Sequence, residues 1–155
     1  MTVYHLIVDG SNIANSVKNE RKKAKLRNLI LLMQYLDEIG SSYPIEYEIL
    51  VDATLQYTID DRAALEELIK RGRIHQCPAG RKADEYILEF YQMESQSTII
   101  ISNDRFKDYN FNPAHDFALC DYMIIFDRII SPKLKAFTES IKLPTVSQIA
   151  TENAA

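Results

Sequence analysis

The sequence predicts an α/β protein built on a mainly parallel β-sheet with helices on both faces. Three observations point there. Short apolar runs alternate along the chain with longer segments of three- and four-residue period. The runs Val3 to Val8 and Thr98 to Ile101 are almost unbroken, as strands covered on both faces are. Polar groups then close the strands at Asp9-Gly10, Asp52 and Ser102-Asn103-Asp104, where an open parallel sheet gathers its ligands.

Val3 to Val8 forms the first strand. From Leu26, the residues Leu29, Ile30, Met33, Leu36 and Ile39 define an amphipathic helix, with Gly40 expected in the left-handed conformation past its end. Ile45 to Val51 alternates in part and is the second strand. Thr58-Ile59-Asp60-Asp61 has the form of a capping box, leading into a helix that carries Ala64, Leu65, Leu68 and Ile69 and stops at Gly72. Arg73 to Cys77 holds a short strand before the loop Pro78 to Lys82. A third helix spans Ala83 to Glu94 and buries Ile87, Phe90 and Tyr91. After the strand Thr98 to Ile101 come a short helical segment around Phe106 and an irregular stretch from Asn110 to Asp116. Tyr122 to Phe126 reads as the fifth strand and Ile129-Ile130 as a further edge. Val146 to Thr151 reads as a short helix before a frayed end of about ten residues.

Composition sets the class. The chain has 155 residues, 46% hydrophobic and 26% charged, so a single domain over 1–155 can bury a full core. With 4 Gly and 5 Pro it is no low-complexity or collagen-like chain. No apolar run approaches the roughly 18 residues of a membrane span, and MTVYHLIVDG lacks the basic region of a signal peptide. Cys77 and Cys120 make no disulfide framework and read as reduced thiols of a cytoplasmic protein. The net charge of −4 argues against a dedicated duplex-DNA binder. Yet Lys18 to Arg27 holds six basic residues against one Glu, and Lys70-Arg71-Arg73 and Arg81-Lys82 add two smaller groups. Such patches suit an anionic substrate over an acidic centre; each can also be a solvated face.

Asp9 ends the first strand, Asp84 and Glu85 open the third helix, and Asp104 and Asp108 follow the fourth strand. Distant in sequence, they fall at one edge of the sheet. Asp104 and Asp108 share a face if their turn is helical. Converging carboxylates repel unless a cation sits among them. Oxygen donors with no paired His or Cys favour Mg²⁺ or Mn²⁺ over zinc. Such an ion polarises a phosphodiester oxygen and activates water for in-line attack.

The same acids have structural uses. Asp9-Gly10-Ser11 can be a turn, Asp84 and Asp104 can be helix N-caps, and Asp60 and Asp61 are expected only to cap. Asp52 stays open between the two roles. Ser11 and Asn12 would hold a phosphate or a water. His5, His75 and His115 are scattered, which leaves histidine-based ribonuclease chemistry unsupported. The nine Tyr and six Phe are expected mainly to pack. A receiver-like phosphoacceptor lacks its Asp between His75 and Pro78, and the four glycines form neither a dinucleotide fingerprint nor a P-loop.

The stretch Leu6-Ile7-Val8-Asp9-Gly10-Ser11-Asn12-Ile13-Ala14 resembles the first motif of PIN-like nucleases of the NYN type, and most of all that of the regnase group, the CCCH-finger RNases of animals. Ala83-Asp84-Glu85-Tyr86-Ile87-Leu88 is similar to the second motif, and Ile99 to Asp108 to the third. The three stand in the family's order between Val3 and Phe126. Two departures are plain: Asp84-Glu85 replaces the Asp-Asp usual in the group, and no CCCH finger is present.

The resemblance implies a PIN-like α/β sandwich and a metal-dependent, endonucleolytic ribonuclease leaving a 5′ phosphate on single-stranded or structured RNA. Asp9 would be the direct Mg²⁺ (or Mn²⁺) ligand. Asp84, Glu85, Asp104 and Asp108 would hold the metal's waters or orient the nucleophile. Asn12, Ser102 and Asn103 would stabilise the site. Arg81 and Lys82 would meet the RNA backbone, with Ser11, Ser102, Asn103 and Arg105 as further substrate contacts. A homodimer is a further implication. The competing reading is a catalytically silent RNA-binding or scaffold module, which would have no use for clustered acids.

Overall fold

The computed structural model describes residues 2–141 of the chain. The helix expected at Val146 to Thr151 and the frayed end lie outside the described residues. Among the described residues no helix is long and apolar enough to cross a membrane.

Five parallel strands form one sheet: β1 (Tyr4–Asp9), β2 (Ile45–Val51), β3 (His75–Gln76), β4 (Thr98–Ile101) and β5 (Leu119–Cys120), in the order β3-β2-β1-β4-β5. The expected α/β architecture is present. Residues alternate between two apolar layers, as strand geometry requires. Leu6, Val8, Ile49, Val51, Ile99 and Ile101 face the helix α2 (Leu26–Gly40), whose Leu29, Leu32 and Leu36 are fully buried. On the opposite face Ile7 and Ile100 pack on α5 (Ala83–Met93) through Ala83, Ile87, Leu88 and Tyr91. Both cysteines are free and buried.

The strand order reverses beside β1: β2 and β3 lie to one side of it, β4 and β5 to the other. Val8 pairs with Ile101 and Asp9 with Leu50, so the polar ends of β1, β2 and β4 come level at the carboxyl edge. That is the switch point at which open α/β sheets form their binding crevice.

Several elements differ from expectation. The sheet's fifth strand is Leu119–Cys120, not Tyr122 to Phe126; two residues are too few to show a period. Met123–Ile125 (β6) instead pairs antiparallel with Arg128–Ile130 (β7) in a separate hairpin. Gly10–Asn15 folds as a short helix (α1), so Asp9-Gly10-Ser11 is a helix start and not the alternative turn. Leu55–Thr58 (α3) is one helical turn before α4 (Arg62–Lys70). Gly40 is the last residue of α2 and Ser41 follows it in right-handed geometry, so no left-handed cap forms there. An unexpected helix, α6 (Pro132–Ser140), begins with Ser131 accepting from the Leu134 N–H and proline in its first turn, an ordinary start signal.

Asp61 caps α4 through the Ala64 N–H, as expected. Asp60 works at longer range, accepting from the first N–H of α2 at Leu26.

Candidate functional site

A cleft of about 560 Å³ opens at the switch point, lined by Asp9, Ser11, Asn12, Asn15, Asp52, Asp84, Asp104, Arg81 and Lys82, among others. Four carboxylates from four separate parts of the chain therefore face one space.

Asp9 is the most enclosed of them, 5% exposed. Its Oδ1 accepts from the Asn12 N–H at 3.2 Å, which makes it the N-cap of α1, and its Oδ2 accepts from the Ser102 hydroxyl at 3.0 Å. Capping and site roles are thus combined in one side chain. Burial pushes Asp9 up to about 6; Asp84 and Asp52 add to the shift, while the two hydrogen bonds oppose it. Gly10 allows this approach: a Cβ there would lie 2.7 Å from Ile49 Cγ2 and from Val51 Cγ1 and 2.8 Å from the Leu50 carbonyl oxygen.

The loop after β4 is tied to α1 by paired amides. Asn12 Oδ1 accepts from the Asn103 N–H at 3.0 Å and from the Tyr122 hydroxyl at 2.7 Å, and Asn103 Oδ1 accepts from the Tyr122 N–H. Ser102 Oγ accepts from the Asp104 N–H, and Asp104 turns on itself by accepting from the Phe106 N–H at 2.7 Å. Ser11 Oγ accepts from the Asp52 N–H. Asp52 in turn accepts from the Ala83 N–H at 2.6 Å and so caps α5. Hence Asp84 is not a cap. It stands free in the first turn of α5, raised above its ordinary value by burial and then by Asp104 and Asp52, against Lys82.

Glu85 turns to Arg81 at 3.9 Å, and neither it nor Asp108, Arg105, Ser102 or Asn103 lines the cleft. Phe106 is left-handed (φ 54°) and only Lys107–Tyr109 is helical, a 3₁₀ turn, so Asp104 and Asp108 do not share a helix face. Both nevertheless act on the Tyr109 phenol, which desolvation and then Asp84, Glu85, Asp108 and Asp104 push up.

Among the described residues no three His, Cys, Asp or Glu side chains are close enough to form a metal-binding group. A cage of Asp9, Asp84, Asp104 and Asp108 is therefore not built. What remains is one buried carboxylate facing outlying acids, an all-oxygen set that fits a hydrated hard cation held directly by one or two carboxylates.

Of the basic groups, Arg71 pairs with Glu67 and Arg73 with Asp37, leaving a solvated face. His5 and His75 do share a groove on the α5 side of the sheet, contrary to their scattered reading, but each is matched to a glutamate, Glu46 and Glu48, away from the cleft. Asp52, Asn15 and Tyr122 are site residues that sequence reasoning missed or left open. Only Asp52 carried a signal, its place at a strand end.

The family model described as Zc3h12a-like Ribonuclease NYN domain matches residues 3–135. The chain belongs to that family. No curated protein sequence matches this NYN chain significantly. Its fold is shared with solved structures, among them the crystal structure of nuclear proteinaceous RNase P 2 (PRORP2) from A. thaliana, with 22% identity and a TM-score of 0.59 over 83% of this chain. A second structure, Arabidopsis thaliana nuclear protein-only RNase P 2 (PRORP2), gives 23% identity and a TM-score of 0.59 over 84%. The NYN chain spans 29% and 30% of those proteins' lengths, so the likeness is one of fold.

Proposed function

We propose that this NYN domain is a metal-dependent endoribonuclease acting on single-stranded RNA in the switch-point cleft. The observation that carries the proposal is the nearly buried Asp9 carboxylate, raised to about 6 and facing Asp84, Asp104 and Asp52. A fold has no need to bury that charge; a cation-dependent reaction does.

Asp9 is the residue that would hold Mg²⁺ or Mn²⁺ directly, and Asp84 and Asp104 would take its waters. When bound, the ion would polarise the scissile phosphate and offset the negative charge of the cleft. Arg81 and Lys82, on the cleft wall, draw the RNA backbone in by its phosphates. Ser102, Asn12, Asn103 and Tyr122 hold Asp9 and the β4 loop still, which keeps the reacting groups in register. Water bonds to phosphorus as the P–O3′ bond breaks, and the departing 3′ oxygen takes a proton from solvent, giving a 3′ hydroxyl and a 5′ phosphate. Asp84, raised from its ordinary value by burial and by Asp104 and Asp52, is suited to take the water's proton.

Cleavage of an end-labelled unstructured RNA, and of a circular one, measured with Mg²⁺ and with EDTA, tests this. The expected result is Mg²⁺-dependent cutting of both, with 5′-phosphate ends. Binding without cutting under any divalent ion would return the chain to a silent RNA-binding module.

A further inference from the structure

Four of the ten exposed large apolar side chains among the described residues fall on the β6–β7 hairpin: Met123, Ile125, Phe126 and Ile130. Phe126 is 96% exposed at its tip. Both tip residues are left-handed, Phe126 at φ 47° and Asp127 at φ 56°, in a two-residue turn that ordinarily takes Asn-Gly. A phenylalanine there is strained and exposed at once, and it gives the core nothing.

Basic side chains surround it. Asp127 holds the tip against α2 through Arg27 at 3.0 Å, and Lys25 lies within electrostatic reach of the same carboxylate. Arg128 follows it, exposed. The hairpin springs from Tyr122, whose hydroxyl donates to Asn12 in the site. From Asn15 on the cleft wall the chain runs through Lys18, Arg21, Lys22 and Lys23, none of them ion-paired among the described residues, and Lys25 binds back to Ala14 through its N–H. A basic segment, interrupted by Glu20 and facing Asp60, thus runs along the chain from the cleft-lining Asn15 to Arg27, which is paired to the aromatic tip.

We propose that the hairpin is a base-stacking finger: Phe126 carries a base of the same RNA strand whose phosphate enters the cleft, while Lys25, Arg27 and Arg128 flank its backbone. Single-stranded nucleic acid uses both features together, a cationic track and an exposed aromatic face. This rests on the nuclease reading of the cleft.

The test is fluorescence anisotropy with a short labelled unstructured RNA, run in an Asp9→Asn background so that the RNA stays intact. Phe126→Asn suits the left-handed turn and removes the ring, so folding is kept. It should weaken binding roughly 5- to 100-fold, and Phe126→Trp should restore it. In the Asp9-containing protein, Phe126→Asn should raise KM with kcat unchanged. Sedimentation runs alongside. Unchanged RNA affinity in Phe126→Asn overturns the finger while leaving the cleft proposal standing, and loss of a dimer with affinity unchanged makes the hairpin a protein interface. If the parent protein binds no RNA, both proposals fall.

Discussion

The cleft and the hairpin break the economy of the fold in opposite ways. At the cleft a charge is buried: Asp9 lies at the end of the central strand, held by the Asn12 N–H and the Ser102 hydroxyl, with acids rather than cations as its nearest charged neighbours. At the hairpin an apolar ring is exposed, and its backbone is strained as well. The cleft is over-determined, each polar group fixed by another from a distant segment. The hairpin hangs on one ion pair at its tip and on its packing against α2. Local rules that fail without a structural gain mark places kept for another purpose. The largely basic segment Lys18 to Arg27 lies between them in the chain.

The largest effect is expected at Asp9. Asp9→Asn keeps the shape of the side chain and removes its negative charge, so an uncharged cap predicts no loss of function. If that carboxylate contributes at least ~3 kcal/mol to the transition state, cleavage falls about 100-fold or more, with RNA affinity held within a few-fold. Single-turnover cleavage beside a binding titration measures both. A wild-type rate in Asp9→Asn would falsify the assignment of the cleft.

Next comes the pH dependence of stability. Asp9 titrates near 3.8 when unfolded and near 6 when folded. Between those values the folded protein binds more protons than the unfolded chain, so stability is lost as pH rises from about 4 to about 6. The loss is up to about 3 kcal/mol in metal-free protein. Asp9→Asn removes it, so the variant should gain on the wild type across that window and keep a constant lead above it. Urea titrations at several pH values in EDTA check this; parallel curves refute it. Mg²⁺ should then stabilise the wild type at neutral pH and leave Asp9→Asn unmoved.

The acids of the cleft are legible in the sequence because each follows an apolar run or opens a helix, and parallel topology carries such positions to one edge. Their division of labour is not legible. That Asp52 caps α5 depends on a hydrogen bond spanning 31 residues, and that Glu85 turns to Arg81 depends on a rotamer. The hairpin deceives differently. Tyr122 to Phe126 has the composition of a buried strand, yet in the hairpin three of its five apolar side chains, Met123, Ile125 and Phe126, face water. Local pattern reports which residues prefer burial. It cannot report a preference left unmet.

Gly10→Ala probes how tightly the cleft is built. The added methyl meets two branched side chains of a core strand and a carbonyl oxygen, all inside 3.0 Å, and none is the free end of a flexible chain. Overpacking of this kind costs about 1–3 kcal/mol, partly offset by alanine's preference for helix. Thermal melts should show a loss of several degrees, and cleavage should fall with it because α1 carries Ser11 and Asn12. An unchanged melting temperature would mean that the helix shifts freely and that the cleft is looser than its hydrogen bonds imply.

The smallest effect has the opposite sign and lies at the hairpin. Phe126→Gly frees a residue from the left-handed region, where a side chain costs about 1–2 kcal/mol. Against that, glycine gives the unfolded chain more freedom, worth about 0.5–1 kcal/mol. The ring is almost wholly in water, so no packing is lost with it. The balance is a gain of about 0.5–1 kcal/mol, read as a rise of about 1–4 °C in Tm for a chain of this size. The cleft and the hairpin would then obey one rule: relieving the buried charge by Asp9→Asn or the strained turn by Phe126→Gly makes the protein more stable and a poorer nuclease, the first through the rate and the second through RNA binding. If Phe126→Gly instead lowers Tm, the ring is holding the fold through contacts at the hairpin, and its exposure is no sign of function.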